Sequence, residues 1–278
     1  MRKYFNLLKR SYVEAKRDRI QDLSASLSYY VIFTIAPLLY IALVIGGLIY
    51  EEGEIETAVH GYLLGTVGSQ SADFVRGILE QIRNLNEGVW LTLFVAVFLI
   101  FGASNFYGFL RRSFDQIQSR RVRREKPDIR LFIRKRVLSV VFLIVISMIF
   151  AVLVLVNLSL SVFRDIVLLL PFGSLSGLVV QALNFAFTFF GIFLIFSAMY
   201  RILSGFVIPW RNAAIGASVS AVLFIVVNTI LGLYFKNSHI ATFYGVGGSV
   251  ILTLIWLYYS SQIFFFGAEV MSVSEEEI

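Results

Sequence analysis

The chain of 278 residues contains no cysteine, and this absence removes three kinds of chemistry. Disulfide bonds, zinc sites built on thiolates and thiol nucleophiles all require cysteine. Histidine is almost as rare, since only His60 and His239 occur, and no HExxH or similar paired spacing is present. A catalytic metal site therefore has little support, and no nucleophile-elbow or phosphate-loop motif offers another active site. We expect no cofactor.

Charged residues are also scarce, at 15% of the chain, whereas 58% of the residues are apolar and 15% are aromatic. This balance is typical of a chain that folds in lipid. A helix that crosses the hydrocarbon core needs roughly 20 mostly apolar residues. The sequence predicts an all-α polytopic membrane protein, with a single bundle of six transmembrane helices between residues 27 and 271. The predicted spans are 27–49, 90–110, 137–160, 178–200, 213–235 and 246–271.

The positions of lysine and arginine predict the orientation of these spans. Of the 24 cations, 20 fall in residues 1–26 and in the loops 111–136 and 201–212, and only four fall in the alternate loops. Short loops rich in lysine and arginine stay on the cytoplasmic side of a membrane. We therefore expect both termini in the cytoplasm, the carboxyl end as an acidic tail over residues 272–278.

Three further segments flank or connect the spans. Residues 1–26 predict a basic interfacial helix, with a plain topology signal as the alternative. Loop 50–89 has seven acidic residues and a helical apolar repeat in its second half, which predicts an amphipathic extracytoplasmic cap. Loop 111–136 has eleven cations and suits anionic lipid headgroups, RNA or topology alone. Nucleic acid is disfavoured, because no aromatic stacking platform accompanies these cations.

Polar residues and prolines within the spans are candidate functional positions, because such residues are costly in lipid. Pro37 is expected to bend the first span, which lines a pathway in some transporters and is a plain kink in most bundles. Four amides in later spans fit hydrogen bonds between helices, the favoured role for each one singly, while together they suggest an interior that is not wholly dry. They are Asn105, Gln181, Asn184 and Asn228.

Glu269 stands at the end of the otherwise apolar stretch IFFFGAEVMS. It lies about 34 Å along a helix that begins at Val246, near the inner boundary of a core about 30 Å thick. An interior salt bridge is the favoured interpretation, under which Glu269→Gln should weaken assembly; a gating or coupling carboxylate is the alternative. The candidate cations are Arg111, Arg112, Arg201 and Arg211.

Four stretches resemble a known family. They are DRIQDLSASLSYYVIFTIAPLLYI (18–41), FGASNFYGFLRRSFDQI (101–117), PWRNAAIGASVSAVLF (209–224) and FYGVGGSVILTLIWLYYSSQIFFFGAEV (243–270). Over nearly its whole length the chain is similar to the YihY/BrkB family of integral membrane proteins. The resemblance implies a six-helix protein of the bacterial inner membrane whose biochemical role is unsettled, and whose former label, ribonuclease BN, is a misassignment.

Several positions of this sequence match the motifs of the family, but the resemblance implies no catalytic role for any of them. In the first segment these positions are Asp18, Arg19, Ser26, Tyr29, Tyr30 and Pro37. Before the fifth span they are Pro209, Trp210, Arg211 and Gly216, and in the last segment Tyr244, Gly245, Gly248, Trp256, Tyr258 and Glu269.

The favoured function is transport or handling of a lipid-like or amphipathic substrate in the cell envelope. The alternatives are a non-transporting scaffold for envelope or cytosolic partners and, less favoured, an enzyme acting on RNA or lipid. A cavity lined by the four amides would favour transport, whereas a solid interior would favour the scaffold. An enzyme would need two carboxylates that converge on a pocket, with Asp18, Asp115 and Glu269 as the first candidates.

Overall fold

The structure is a computed structural model that describes residues 2–46, 60–61, 72, 75–77, 80, 89–118, 174–204, 208–237 and 246–277. All regular structure in these residues is α-helical, which confirms the predicted fold class for this part of the chain. The helices are α1 (Arg2–Arg17), α2 (Ile20–Gly46), α3 (Val89–Ile117), α4 (Ser174–Leu203), α5 (Trp210–Asn237) and α6 (Val246–Glu277).

Five of the six predicted spans fall on α2 to α6, and the predicted third span, 137–160, lies outside the described residues. Within the described part, three segments are long and apolar enough to cross a membrane: Phe185–Leu203, Trp210–Phe235 and Val250–Glu276. In loop 50–89 the few described residues are helical, and the rest of the loop lies outside the description. The six-helix bundle and the cap therefore stay predictions.

Large apolar side chains cover the outer surfaces of α3, α4 and α5. A soluble monomer rarely exposes so extensive an apolar surface, whereas a membrane protein turns such side chains toward acyl chains. The helices are thus built for lipid on the outside as well as for packing on the inside. The exposed side chains include Trp90, Phe94, Phe98, Phe101, Phe185, Phe190, Val222, Val226, Ile230 and Leu233.

Helix α6 lies at the centre of the described structure and packs against α5, α2 and α1. It runs antiparallel to α5, since Trp256 contacts Asn228 near one end of the pair while Gly267 approaches Gly216 near the other. Helix α4 packs on α5, and α3 packs on α2. Helix α6 therefore provides the main packing surface for α1 and joins it to α5.

The main hydrophobic core lies at one end of the bundle, where the C-terminal ends of α3, α4 and α6 meet the start of α5. We call this the basic end, because Arg111, Arg112, Arg201 and Arg211 also lie there. Aromatic rings from three helices fill it, and small residues of α5 allow a close approach. The core side chains include Leu110, Phe114, Phe196, Tyr200, Ala213, Ala217, Phe264, Phe265 and Met271.

Helix α1 has two apolar faces. One face packs against α6, where Leu7 contacts Val270 and Val273. The other is exposed and includes Phe5 and Tyr12, which are 70% and 56% accessible. A helix with one packed face and one exposed apolar face is suited to the membrane interface.

Candidate functional site

The contact between α5 and α6 at the basic end depends on two glycines. A Cβ atom on Gly216 would lie 2.5 Å from the carbonyl oxygen of Gly267 and 2.9 Å from Cβ of Met271. A Cβ atom on Gly267 would overlap the hydroxyl oxygens of Ser220 and Tyr200. Small residues permit this approach of two backbones in a membrane, where packing and hydrogen bonds drive helix association.

Tyr200 connects three helices at the same level. It is fully buried on α4, and its hydroxyl donates to the carbonyl oxygen of Phe264 on α6 at 2.8 Å. The Oγ atom of Ser220 on α5 lies 2.7 Å from that hydroxyl. Because the tyrosine proton is used toward Phe264, the serine is the donor of the second bond.

A sharp corner joins α1 to α2, and it is strained. Arg19 has a φ of 54°, in the left-handed region that is unfavourable for a residue with a side chain. Two contacts hold the corner in this conformation: the Arg19 guanidinium lies 2.7 Å from the Asp22 carboxylate, and Nε2 of Gln116 donates to the backbone oxygen of Asp18 at 2.9 Å. The corner is therefore tied to α2 and α3.

Glu269 has a carboxyl group, not a cation, as its neighbour. Its side chain is only 1% exposed, and the side chain of Asp18 lies within hydrogen-bonding range of it. The Oε1 atom of Glu269 is buried without a hydrogen-bond partner among the described residues. Among these residues the predicted interior salt bridge is therefore wrong, and a pair of acids takes its place, with Asp18 at the α1–α2 corner and Glu269 on α6.

Two arginines of the basic end, Arg111 and Arg201, have partners other than Glu269. Arg111 lies 3.6 Å from the carboxylate of Asp115 and donates to the backbone oxygen of Leu203. Arg201 donates to the backbone oxygen of Ile208, and its guanidinium lies 5.3 Å from the centre of the Trp210 ring. Arg111 thus occupies a free carbonyl group at the end of α4, and Arg201 occupies one just before the start of α5.

A cleft of about 670 Å³ opens between the α1–α2 corner and the outer face of the α5–α6 pair. Lys16, Arg19 and Asp22 supply its charges, and the ammonium of Lys16 lies 5.0 Å from the centre of the Tyr12 ring. The remaining walls are mostly apolar: Ala15, Ile20, Leu223, Ile263 and Phe266, with Gln21 and Gln262 as polar exceptions. The lining of this cleft thus combines charged side chains with apolar ones.

The structure distributes the other predicted positions rather than bringing them together. Tyr30 packs on Phe109 with ring centres 5.2 Å apart, whereas Tyr29 is exposed. Asn228 accepts a hydrogen bond from Nε1 of Trp256 at 3.1 Å, which joins α5 to α6.

The remaining candidates that the structure describes do not line the cleft either. Asn105 and Arg211 are exposed, Gly248 is buried, and α2 continues through Pro37. The side chains of Gln181 and Asn184 and all of Tyr244 and Gly245 lie outside the described residues.

Sequence reasoning missed the Tyr200 junction. Tyr200 stands in an apolar run of α4 in which exposed and buried aromatic residues look alike. The signal that could have found it is on other helices: Gly216 and Ser220 on α5 and Gly267 on α6 are small residues that mark a close crossing.

These features define a class of protein: a helical membrane protein with a closed aromatic core at its basic end and an interfacial helix packed on its last span. The family described as Virulence factor BrkB matches residues 11–278. The chain belongs to this family, which confirms the resemblance found in the sequence.

The similar proteins are UPF0761 membrane proteins, a name that states a location and no activity. One from Psychrobacter sp. (strain PRwf-1) is 26% identical over 272 residues, 96% of this chain and 48% of that protein, so the chain spans about half of it. One from Psychromonas ingrahamii is 26% identical over 271 residues, 94% of this chain and 85% of that protein. One from Pseudomonas aeruginosa (strain LESB58) is 25% identical over 258 residues, 90% of this chain and 58% of that protein. No solved structure matches the chain.

Proposed function

We propose that this protein takes an anionic, lipid-like molecule into the cleft beside the α1–α2 corner and transports or otherwise handles it in the membrane. The cleft carries the proposal, since it places the cations Lys16 and Arg19 above the apolar side chains Ile263 and Phe266. An anionic amphiphile has the matching arrangement of a charged head and apolar chains. Asp22 offsets part of the charge of Arg19, so Lys16 is the freer cation toward a headgroup.

The depth of the cleft supports a lipid ligand. At 1.5 Å per residue, Leu223 lies about 10 Å farther along α5 than Gly216, which is near the basic end. Ile263 lies about 9 Å before Glu269 on α6. The cleft thus extends from the level of the charged corner into the depth of the acyl chains.

We assign the basic end to the cytoplasmic side of a bacterial inner membrane. The predominance of lysine and arginine in the segments at this end supports the assignment. On this side anionic phospholipids attract basic residues, by about 1 kcal/mol for each cation near the surface. Lys16 and Arg19 would therefore meet an anionic headgroup in the inner leaflet.

Removing the two cations tests the proposal. Lys16→Gln with Arg19→Asn is expected to weaken retention of phosphatidylglycerol by about 30-fold, since about 2 kcal/mol of attraction is lost. Asparagine is chosen for position 19 because it tolerates a positive φ better than most residues. Native mass spectrometry of protein from nanodiscs with mixed phosphatidylglycerol and phosphatidylcholine measures the retained lipid.

The matched control is Lys9→Gln with Arg17→Gln. It removes the same charge from the same N-terminal part of the chain, but neither residue lines the cleft. We expect the control to retain phosphatidylglycerol like the unaltered protein. Equal loss of lipid in both double variants would show that helix charge alone attracts the lipid, and would contradict a site in the cleft.

A non-transporting scaffold is the second candidate, and the packing of the basic end favours it. Tyr200, Phe114 and Phe265 are fully buried there, so the described part of this end is filled by side chains rather than by a passage. Scrambling of fluorescent phosphatidylglycerol in proteoliposomes distinguishes the two candidates. Movement between leaflets above that of protein-free vesicles would support transport, and its absence with retained lipid would support the scaffold.

An enzyme remains the weakest candidate. Asp18 and Glu269 do converge, but neither lines the cleft, and Asp115 is paired with Arg111. In the described residues, no three side chains of the kinds that bind metals come together. A hydrolytic mechanism would need acid and base groups that reach a substrate.

A further inference from the structure

The carboxyl pair at the α1–α2 corner suggests a second kind of ligand, which is independent of the lipid. Glu269 is nearly completely buried where α1 packs on α6, and one of its oxygens has no partner among the described residues. The side chain that approaches it belongs to Asp18, the last residue before the strained Arg19. An interhelical contact thus joins two groups that are both acids.

Two ionised carboxylates only accept hydrogen bonds, so they repel each other when they share a buried site. A single proton replaces this repulsion by attraction, because the protonated carboxyl group then donates a hydrogen bond to the ionised one. We infer that Asp18 and Glu269 together form a proton-binding site, and that the bound proton holds the α1–α2 corner against α6.

The surrounding groups favour the proton over a cation. Glu14 on α1 adds a negative charge that acts on both carboxyl groups, while the charge of Arg17 and the neutral amide of Gln116 act on Asp18 only. The two arginines next to the pair have acidic partners of their own: Arg17 lies 3.5 Å from Glu14, and Arg19 lies 2.7 Å from Asp22. Burial raises the pKa of Asp18 above its ordinary value, and Glu14 acts in the same direction.

Release of the proton would destabilise the contact between the α1–α2 corner and α6. Two negative charges at Asp18 and Glu269 would push α1 from α6, against contacts that include the exposed ion pair of Arg10 with Glu276 and the apolar contact at Leu7. Ala15, Lys16 and Ile20 line the cleft beside the same corner, so its opening changes the cleft directly.

The sign of the pH dependence follows from linkage. A carboxyl group whose pKa is higher in the folded protein than in the unfolded chain stabilises the fold fully below the unfolded value of 3.8. That stabilisation is lost as the pH rises through the folded value. The Tm of the unaltered protein should therefore fall as the pH rises above about 4. This fall adds to any pH dependence that the unaltered protein shares with variants that lack the carboxyl pair.

Neutral isosteres separate this proton from other titrations. Glu269→Gln and Asp18→Asn each keep a hydrogen bond without needing a proton, so both are expected to fold and to lose this part of the pH dependence of Tm. Glu276→Gln is the matched control, since it removes a carboxylate of the same helix pair that has a cation as its partner. It should keep the pH dependence of the unaltered protein.

Two measurements on the full chain in nanodiscs report the proton and the movement. Infrared difference spectra should show a protonated carboxylic acid at neutral pH that disappears in Glu269→Gln. Because the chain has no cysteine, spin labels at Val13→Cys and Tyr259→Cys report the distance between α1 and α6 without further substitutions. That distance should increase with pH in the otherwise unaltered protein and stay constant when Glu269→Gln is added.

Several outcomes would overturn the inference. They are a Glu269→Gln protein that keeps the pH dependence, the absence of a protonated acid at neutral pH, or a constant label distance. Failure of both Glu269→Gln and Asp18→Asn to fold would also overturn it, because it would show that the charge itself is required. None of these outcomes concerns lipid retention, so they are distinct from a failure of the proposed function.

Discussion

Gly267→Val is expected to prevent accumulation of the folded protein. Even the first carbon of a side chain at this position would overlap the hydroxyl groups of Ser220 and Tyr200. It would also meet the backbone oxygen of Gly216 at 3.0 Å, which has no rotamer by which to move away. Helices α5 and α6 must then separate, at a cost of more than about 3 kcal/mol, a large part of the total stability of a typical protein.

The yield of folded protein after mild detergent extraction measures this effect, by fluorescence-detected size exclusion of a tagged chain. Gly232→Val is the matched control, because a Cβ atom at Gly232 has no neighbouring atom within 4 Å. Both variants introduce the same β-branched residue into a helix. A normal yield for Gly267→Val, or an equal loss in both variants, would contradict the close α5–α6 contact.

The sequence predicted the location of helices better than their ends. Hydropathy placed the last span at 246–271, but α6 continues to Glu277. Its final turns are buried by α1, where Leu7 contacts Val273. A hydropathy window recognises the length that lipid requires, but it does not detect a helix that continues because it packs against another part of the chain.

Glu269 shows why the position of a residue along its helix is easier to predict than the side chain that it contacts. The rise per residue predicts that Glu269 lies at the level of the ends of the neighbouring helices. The choice of an arginine partner followed the usual preference for opposite charges, and arginines are indeed abundant at this end. The strained corner at Arg19 brings Asp18 to Glu269 instead, and a contact between two acids depends on a proton that no sequence displays.

The burial of aromatic residues in membrane helices was also difficult to predict from the sequence. Phe185 and Phe196 both belong to α4, but the first is exposed and the second is packed against Tyr200. In a soluble helix a polar face would reveal the difference between the two sides. Lipid is as apolar as the core, so the two faces carry similar residues and only the packed structure separates them.

Tyr200→Ala is expected to be the most damaging truncation of a single side chain at the basic end. The Tyr200 ring is fully buried and packs against Phe114, Phe196 and Phe264, with ring centres 5.4–6.0 Å apart. Removing a buried aromatic ring costs about 3–5 kcal/mol, because the cavity that remains is filled only partly. Thermal unfolding in detergent should show this loss as the largest fall in Tm among alanine variants of the cluster.

Tyr200→Phe separates the ring from its hydroxyl. The variant keeps the packing but removes the donor to Phe264 and the acceptor for Ser220, at a cost of about 1–2 kcal/mol for a hydrogen bond between membrane helices. Tyr234→Ala is the surface control, since Tyr234 is 52% exposed on α5 and should change Tm little. If Tyr200→Phe were as damaging as Tyr200→Ala, the hydroxyl bridge rather than the aromatic core would hold α4 to α6. If all three variants unfolded alike, Tyr200 would not be the junction of these helices.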